Sequence, residues 1–240
     1  MRPVVLLFTI AAALCAQPDP DAAEQKKIFA DISANALEFI KHLPNFVCTE
    51  STRRNVDPTG TSQHWKLVDT IVEQLNYVDH KEEYKAITVN SKPVSNRPGG
   101  LWSPTDFANV LNWVFDPQAE TEFGWQSFDS LRGARVHLIS YKVKQEHSQF
   151  TVGNGKTKMN AGIVGLISAD KDTSMVLRIG LIASDIPPKF PVQAVNMEVL
   201  FDFVKIGDQM YLVPVKADLH SKEGKSLIWN EVELRDFRAK

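Results

Sequence analysis

The residues able to do covalent or metal chemistry in this chain do not form a recognisable constellation. Gly155-Lys156-Thr157 has the ending of a phosphate-binding loop, but that motif requires a Gly five positions before Gly155, where Phe150 stands. The six histidines occur singly, and no two lie three or four residues apart on one predicted helix. The chain also lacks a Gly-x-Ser-x-Gly nucleophile elbow. We therefore expect no catalytic residues, no metal and no cofactor.

The other candidates for chemistry are better explained as structural residues. Cys48 lies in a predicted strand without a neighbouring His, which favours a small buried apolar residue over a nucleophile. The acidic residues are scattered over positions predicted to face solvent. The five tryptophans are predicted mainly as core residues, although each of them can also line a cavity. A hydrolase whose site is assembled from distant strands stays an open alternative.

The first helical segment follows a capping signal. Asp21 stands at a predicted N-cap, with Glu24 three residues later. Apolar residues then recur at spacings of three and four, which predicts an amphipathic helix of about five turns that ends before Pro44. These residues are Ile28, Ile32, Ala36, Phe39 and Leu43.

The second helical segment begins at Ser103-Pro104, where Ser103 is the predicted cap and Pro104 the first helical residue. It ends at Asp116-Pro117. The apolar stripe predicted for it consists of Phe107, Leu111, Val114 and Phe115, and Trp113 lies off this stripe.

The rest of the chain is a series of predicted strands joined by short turns. These strands are 46–54, 64–77, 84–90, 123–128, 134–145, 162–169, 175–183, 196–204, 210–219 and 227–237. Gly153-Asn154-Gly155 is a strong hairpin signal. Alternation in the last third predicts one buried face, with Met197, Val199, Phe201 and Phe203 on one strand and Tyr211, Val213, Val215, Ala217 and Leu219 on the next. Pro214 predicts that its strand is at an edge or bulged.

The composition and the first residues bound the class of protein. The 240 residues include 27 basic and 29 acidic side chains without a basic stripe, so we expect no nucleic-acid partner. Arg2 followed by an apolar run over 4–14 predicts a signal peptide over 1–16, cut after Ala16, and not a membrane anchor. Lipidation at Cys15 is a less favoured alternative, because Leu14 precedes it. Residues 17–240 are expected to form a single exported domain of the periplasm or outer envelope.

The layout then resembles a known group. Two segments, 162–179 with its Asp170-containing turn and apolar-Arg178-apolar ending, and 230–238 with Asn-Glu-Val-Glu-Leu-Arg-Asp-Phe-Arg, are similar to the LolA-like superfamily, the outer-membrane lipoprotein-sorting carriers and relatives such as LolB and RseB. This resemblance implies an α+β fold: a half-open antiparallel β-barrel, built as a long strand meander, whose concave face is covered by helices.

The resemblance implies a non-enzymatic envelope protein that binds lipid or lipoprotein acyl chains in an apolar cleft between curved sheet and helices. The alternative is a protein-interaction or sensor module of the same fold, RseB-like, with no lipid cargo but with other envelope proteins as partners. The expected ligand-lining residues are Trp102, Phe107, Leu111, Trp113, Phe115, Phe201 and Phe203. Under the carrier hypothesis the helix with Phe107, Leu111 and Phe115 is a lid over this space, whereas under the alternative the same residues close a filled core.

Overall fold

The computed structural model of the protein describes residues 18–96, 109–153 and 157–240. Helix α1 spans Ala22–His42 and helix α2 spans Asn109–Phe115. The strands are β1 Phe46–Asp57, β2 Lys66–Val78, β3 Lys81–Val89, β4 Lys92–Pro93, β5 Glu122–Leu131, β6 Ala134–Val143, β7 Thr151–Gly153, β8 Lys158–Asn160, β9 Gly162–Asp170, β10 Val176–Ser184, β11 Val192–Ile206, β12 Gln209–Glu223 and β13 Ser226–Ala239. Outside the described residues lie the predicted signal peptide, Trp102, Ser103, Pro104, Phe107, Asn154 and Gly155.

The strands form one large antiparallel sheet of eleven strands in the order β4-β3-β2-β1-β13-β12-β11-β10-β9-β6-β5. Most neighbours in this order are also neighbours in the chain, so hairpins build nearly all of the sheet. There are two exceptions: β6 pairs with β9, and β13 pairs with β1, which joins the end of the described chain to its first strand. Strands β7 and β8 form a separate small hairpin. The sheet is open, and with its two helices it confirms the α+β class.

The sheet must curl, because a flat one would be too wide for its helices. Eleven strands about 4.8 Å apart would span about 48 Å, whereas a helix is about 10 Å across. One continuous core nevertheless contains Leu75 of β2, Ile139 of β6 and residues of both helices. Strands far apart in the sheet order therefore reach the same helices across a concave face, as a half-open barrel requires.

Helix α1 begins and ends where its sequence predicts. The Asp21 carboxylate accepts hydrogen bonds from the Ala23 and Glu24 backbone N–H groups, each 2.9 Å long, and so satisfies two donors that the first turn leaves free. The helix ends at His42, before Pro44. It crosses the concave face, since its Phe29 contacts Phe123 of β5 with ring centroids 5.8 Å apart.

Helix α2 corrects the sequence prediction for Trp113. This residue was expected off the apolar stripe, yet it is only 7% exposed, and its ring meets Phe150 edge to face at 4.8 Å. Val110, Leu111, Val114 and Phe115 are buried as well. A stripe describes a helix that faces solvent on one side, but α2 is enclosed on nearly all sides, so its periodicity does not identify an exposed residue.

The expected exposure of the acidic residues is also wrong at several positions. Glu50 and Glu73 stand directly opposite each other on β1 and β2, and they are 0% and 1% exposed. They share the concave face with Phe46 and Cys48, because alternate residues of β1 point the same way. Cys48 itself is buried and free, as predicted.

Candidate functional site: a cavity between the first helix and the sheet

A cavity of about 310 Å³ lies between the C-terminal half of α1 and the concave face of the sheet. Its walls come from four parts of the chain: α1, α2, the turn before β10 and the β11–β12 hairpin. Most of the lining side chains are apolar. The lining residues are Asn35, Ala36, Glu38, Phe39, His42, Leu43, Leu111, Met175, Val176, Phe201, Phe203, Met210, Tyr211 and Leu212.

The α1 wall is held in place by one aromatic contact and one hydrogen bond. Phe39 meets Phe201 of β11 edge to face, with ring centroids 6.2 Å apart. The Asn35 side-chain amide donates to the Thr173 carbonyl at 2.8 Å, which ties the helix to the turn before β10. That turn is itself ordered by the Asp170 carboxylate, which accepts from the Thr173 backbone N–H at 2.8 Å. Ala36 leaves space between these anchors, since its side chain is only a methyl group.

The opposite wall is the β11–β12 hairpin, which contains a bulge. Phe201 lies opposite Pro214, whereas Leu200 lies opposite Lys216, so Val215 is an extra residue. β12 pairs with β13 only over Lys216–Glu223, so Pro214 lies in a part of the strand that pairs on one side only, with β11. Both options predicted from Pro214, the bulge and the locally unpaired edge, are therefore observed.

The bulge changes which residues of β12 face inward. Ala217 lies opposite the buried Val199, as predicted, but nearer the hairpin end Leu212 lies opposite Phe203. The extra residue shifts the two-residue period by one, so Leu212 shares a face with Phe203, which the alternation did not predict. Val213 is nevertheless fully buried, as predicted, and Tyr211 also lines the cavity.

The mouth of the cavity exposes large apolar side chains. Phe203 is 47% exposed and Met210 is 58% exposed, although both line the cavity. Phe203 keeps the inward parity predicted for it, but it lies toward the hairpin end, where it is not covered as Phe201 is. The apolar lining therefore continues from the buried interior out to the surface, so that the cavity opens to solvent beside the hairpin.

The charges at the rim are mostly neutralised. Glu38 lies 2.9 Å from the Lys41 ammonium and 3.3 Å from His42 Nδ1. The hydrogen bond from Lys41 and its charge lower the pKa of Glu38 from its ordinary value. On the other face of β11, Asp202 pairs with the Arg132 guanidinium at 2.9 Å, and Arg132 also donates to the Phe201 carbonyl. The one acidic residue that lines the cavity, Glu38, is thus paired with basic neighbours.

The lining offers little for covalent chemistry. None of the lining residues is a Ser, Thr, Cys or Lys, and the one carboxylate and one imidazole, Glu38 and His42, contact each other at the rim. Within the ranges that the structure describes, no three His, Cys, Asp or Glu side chains are grouped to hold a metal ion. What the arrangement can do is enclose an apolar ligand.

A second buried region of the concave face is polar. The Arg54 guanidinium makes two hydrogen bonds with Asp69, Nε to Oδ1 at 2.7 Å and Nη2 to Oδ2 at 2.6 Å. This fork is the geometry in which Arg binds a carboxylate most strongly. Together with Glu50 and Glu73 on the same two strands, it places buried charged side chains on the concave face beside the apolar Phe46, Cys48 and Leu75.

The structure brings together three of the seven predicted ligand-lining residues. Leu111, Phe201 and Phe203 line the cavity. Trp113 and Phe115 lie elsewhere in the core, where Phe115 stacks on Phe123 at 5.9 Å. Trp102 and Phe107 lie outside the described residues. Ala36, Phe39 and Leu43 belong to the predicted apolar stripe of the first helix but were not predicted to line a ligand site. Met175, Met210 and Leu212 were missed, and the only signal for the last two was the bulge expected at Pro214.

Among the described residues, no helix has both the length and the apolar character needed to cross a membrane. No family model matches the chain, and no curated protein matches it.

Several solved structures are similar to this chain, among them three that each share 9% identity with it. The first is a LolA superfamily protein from Nitrosomonas europaea, with a TM-score of 0.42, covering 88% of this chain and 93% of that one. The second is a DUF1329 family protein from Desulfovibrio piger, with a TM-score of 0.45 and coverage of 90% and 92%. The third is a domain from Vibrio parahaemolyticus described as an outer membrane lipoprotein-sorting protein, with a TM-score of 0.43 and coverage of 87% and 90%.

These structures include the group of proteins that the sequence resembles. At this identity and with TM-scores below 0.5, the similarities assign neither a family nor a function to the chain.

Proposed function

We propose that the protein is a non-enzymatic envelope protein that binds an acyl chain of a lipid or lipoprotein in the cavity between α1 and the β11–β12 hairpin. The observation that carries this proposal is the continuous apolar lining, which runs from buried Phe201 to exposed Phe203 and Met210. Leaving such side chains in water is unfavourable, and an acyl chain would cover them. Each methylene that enters gains about 0.8 kcal/mol.

The shape of the site suits a chain more than a compact polar ligand. Ligand cavities are mostly apolar, with a few polar groups that fix orientation, and here the polar groups lie at the rim, at Glu38, His42 and Asn35. A chain would enter with its apolar end toward Phe201 and Leu111 and leave its polar end at the mouth.

The expected location is consistent with this role. A signal peptide over 1–16 would export the chain, and residues 17–240 would then fold as one domain in the periplasm or outer envelope, where lipids and lipoproteins must cross water. Lipidation at Cys15 remains the less favoured alternative to simple export.

The test has two steps. The purified protein is extracted with organic solvent and the extract is analysed by mass spectrometry, and the delipidated protein is then titrated with a fluorescent fatty acid. We expect either a co-purified lipid in the extract or saturable binding of one chain per protein. An empty extract together with no saturable binding would rule out the carrier role.

The alternative role is an interaction module without lipid cargo. Strand β5, Glu122–Leu131, favours this role, because it ends the sheet at one edge within the described residues. An exposed edge can pair with a strand of another protein. Recovery of a stoichiometric envelope protein by delipidated bait, with no chain binding, would favour this role.

A further inference from the structure

The mouth of the cavity has one lysine whose charge is not neutralised. Lys205 makes no hydrogen bond or ion pair in the part of the chain that the structure describes. It lies directly opposite Met210, a lining residue of the mouth. Directly opposed residues have Cβ atoms about 5 Å apart, and a lysine side chain is long and flexible. Its side chain is therefore long enough to bring the ammonium over the exposed end of the cavity.

We propose that the cavity selects a single-chain amphiphile with an anionic headgroup, a carboxylate or a phosphate, and that Lys205 binds this headgroup at the mouth. This proposal rests on the proposed function, and it adds the charge of the ligand and the number of its chains. The number of chains follows from size, because 310 Å³ is at the small end of the range of about 300–1,000 Å³ for ligand cavities.

Most of the other charged residues near the mouth are paired, which leaves Lys205 as the residue that distinguishes an anionic headgroup from a neutral or cationic one. Glu38 is paired with Lys41 and His42. These two basic residues stand in the last turn of α1, where they also offset the negative end of the helix dipole. Asp202 is paired with Arg132.

Asp208 is the remaining acid of this hairpin end. It lies in the turn after Ile206, beyond the Lys205–Met210 pair, and is thus farther along the hairpin from the lining residues than Lys205. An anionic headgroup above Met210 would meet an ammonium before it meets a free carboxylate.

Lys205 also stands in line with the two aromatic residues of the site. Because alternate residues of a strand share a face, Phe201, Phe203 and Lys205 point the same way from β11. Along the strand, Phe201 is buried, Phe203 is half-exposed, and Lys205 is charged and exposed. An amphiphile has the same series along its length, from chain end to headgroup.

The test compares three ligands of equal chain length: dodecanoate, dodecanol and dodecyltrimethylammonium. Each is titrated calorimetrically at neutral pH into the delipidated full chain, at low and at high salt. We expect dodecanoate to bind about threefold to fivefold more tightly than dodecanol, the range of an exposed ion pair, and dodecyltrimethylammonium to bind most weakly. High salt should reduce these differences, because it screens exposed charges.

Variants assign the effect to one side chain. Lys205→Gln should bind dodecanoate and dodecanol about equally, and Lys205→Glu should reverse the preference. Lys222→Gln is the matched control, because Lys222 is exposed on β12 near the other end of the hairpin, and it should behave as the wild type.

Different results would overturn the headgroup proposal and the proposed function. Equal binding of the three ligands by the wild type, or an unchanged preference in Lys205→Gln, would overturn the headgroup proposal and leave chain binding intact. Tighter binding of a two-chain phospholipid than of any single-chain ligand would overturn the single-chain claim. Failure of all ligands to bind would overturn the proposed function as well.

Discussion

Phe39 of α1 and Phe201 of β11 meet edge to face, with ring centroids 6.2 Å apart and planes at 85°. This contact joins the helix to the sheet at the wall of the cavity, and both residues line it. The helix is thus held against the concave face by a contact on one side of an opening, which allows a packed core and an accessible cavity to exist side by side.

Phe201 should contribute strongly to stability, unlike its neighbour Phe203. Phe201→Ala removes a fully buried ring and is expected to lower the free energy of unfolding by about 3–5 kcal/mol. Phe203→Ala, on the same strand but 47% exposed, should cost less than about 1 kcal/mol. Denaturant unfolding of the two variants checks this difference, and equal losses would contradict the described position of α1.

The contact itself can be isolated with a double-mutant cycle. Phe39→Ala and Phe201→Ala should couple by about 0.5–1.5 kcal/mol, the range for an edge-to-face aromatic pair. Additive losses would mean that the helix does not rest on β11 at this point.

Cys48 should make the protein less stable in alkali. Burial, with a smaller effect of the nearby Glu50 carboxylate, raises the pKa of the Cys48 thiol in the folded state, whereas an unfolded thiol ionises near about pH 8.5. Above that pH the unfolded chain loses a proton that the folded chain keeps, so stability falls by up to about 1.4 kcal/mol per pH unit.

The measurement is the free energy of unfolding between about pH 7 and 10, with Cys48→Ala as control. The pH range ends at about 10 because burial also raises the pKa of Tyr141. Above that pH the ionisation of Tyr141 in the unfolded chain would add to the loss of stability caused by the thiol. The variant should lack the thiol's part of the alkaline loss. Parallel pH profiles of the two proteins would show that the thiol is not buried.

Asp57 should make the protein less stable at acid pH. Burial by itself would raise the pKa of Asp57, but hydrogen bonds from the Thr59 hydroxyl and from the Thr59, His64 and Gln63 backbone N–H groups lower it well below its ordinary value. The stability that this carboxylate contributes is complete above its unfolded pKa of about 3.9 and is lost as the pH falls below it.

Asp57→Asn should therefore unfold at lower denaturant concentration than the wild type at neutral pH, and the difference should shrink below about pH 4. A constant difference down to acid pH would contradict the proposed set of hydrogen bonds.

Removing one partner of the Arg54–Asp69 pair should lower the free energy of unfolding more than replacing both partners with apolar residues. Asp69→Asn removes the carboxylate that accepts two hydrogen bonds from the buried Arg54 guanidinium, and it is expected to cost up to about 3–5 kcal/mol. The double variant Arg54→Met with Asp69→Leu removes both charges and should cost less than Asp69→Asn. Equilibrium unfolding of the two variants decides this, and a larger loss in the double variant would mean that the pair itself stabilises the fold.

Much of the fold was predictable because it depends on local signals. The cap at Asp21 and the spacing of Ile32 and Ala36 fixed α1, and alternation identified most of the strands. The order of the strands was not predictable in this way, because the pairing of β13 with β1 joins residues such as Glu50 and Leu234 that no local pattern connects. The buried carboxylates of Glu50 and Glu73 were missed for the same reason, since a polar residue on a concave face resembles a surface residue in sequence.

The site was predictable only in part. Phe201 and Phe203 followed from alternation, and Leu111 followed from the helical stripe. Met210 and Leu212 did not, because the extra residue at Val215 changes the inward-facing positions of β12. Trp113 was misplaced because a short helix that is buried on nearly all sides has no solvent face to mark.

The central claim is that the space beside Ala36 holds an acyl chain. Ala36 is buried on α1 and lines the cavity, whereas Ala23 is exposed at the start of the same helix. Ala36→Met fills the cavity without changing a charge, and Ala23→Met makes the same change outside it. Met forms helices nearly as well as Ala does, so both variants should fold.

The most direct measurement is the dissociation constant of a fluorescent fatty acid for these two variants and the wild type. Each methylene of the chain that the Met side chain displaces from the cavity forfeits about 0.8 kcal/mol, which is about fourfold in affinity. Met adds three heavy atoms to the side chain of Ala, so we predict a loss of at least about tenfold for Ala36→Met and no loss for Ala23→Met. Wild-type affinity in Ala36→Met would contradict the account, because the chain would then bind somewhere other than the cavity.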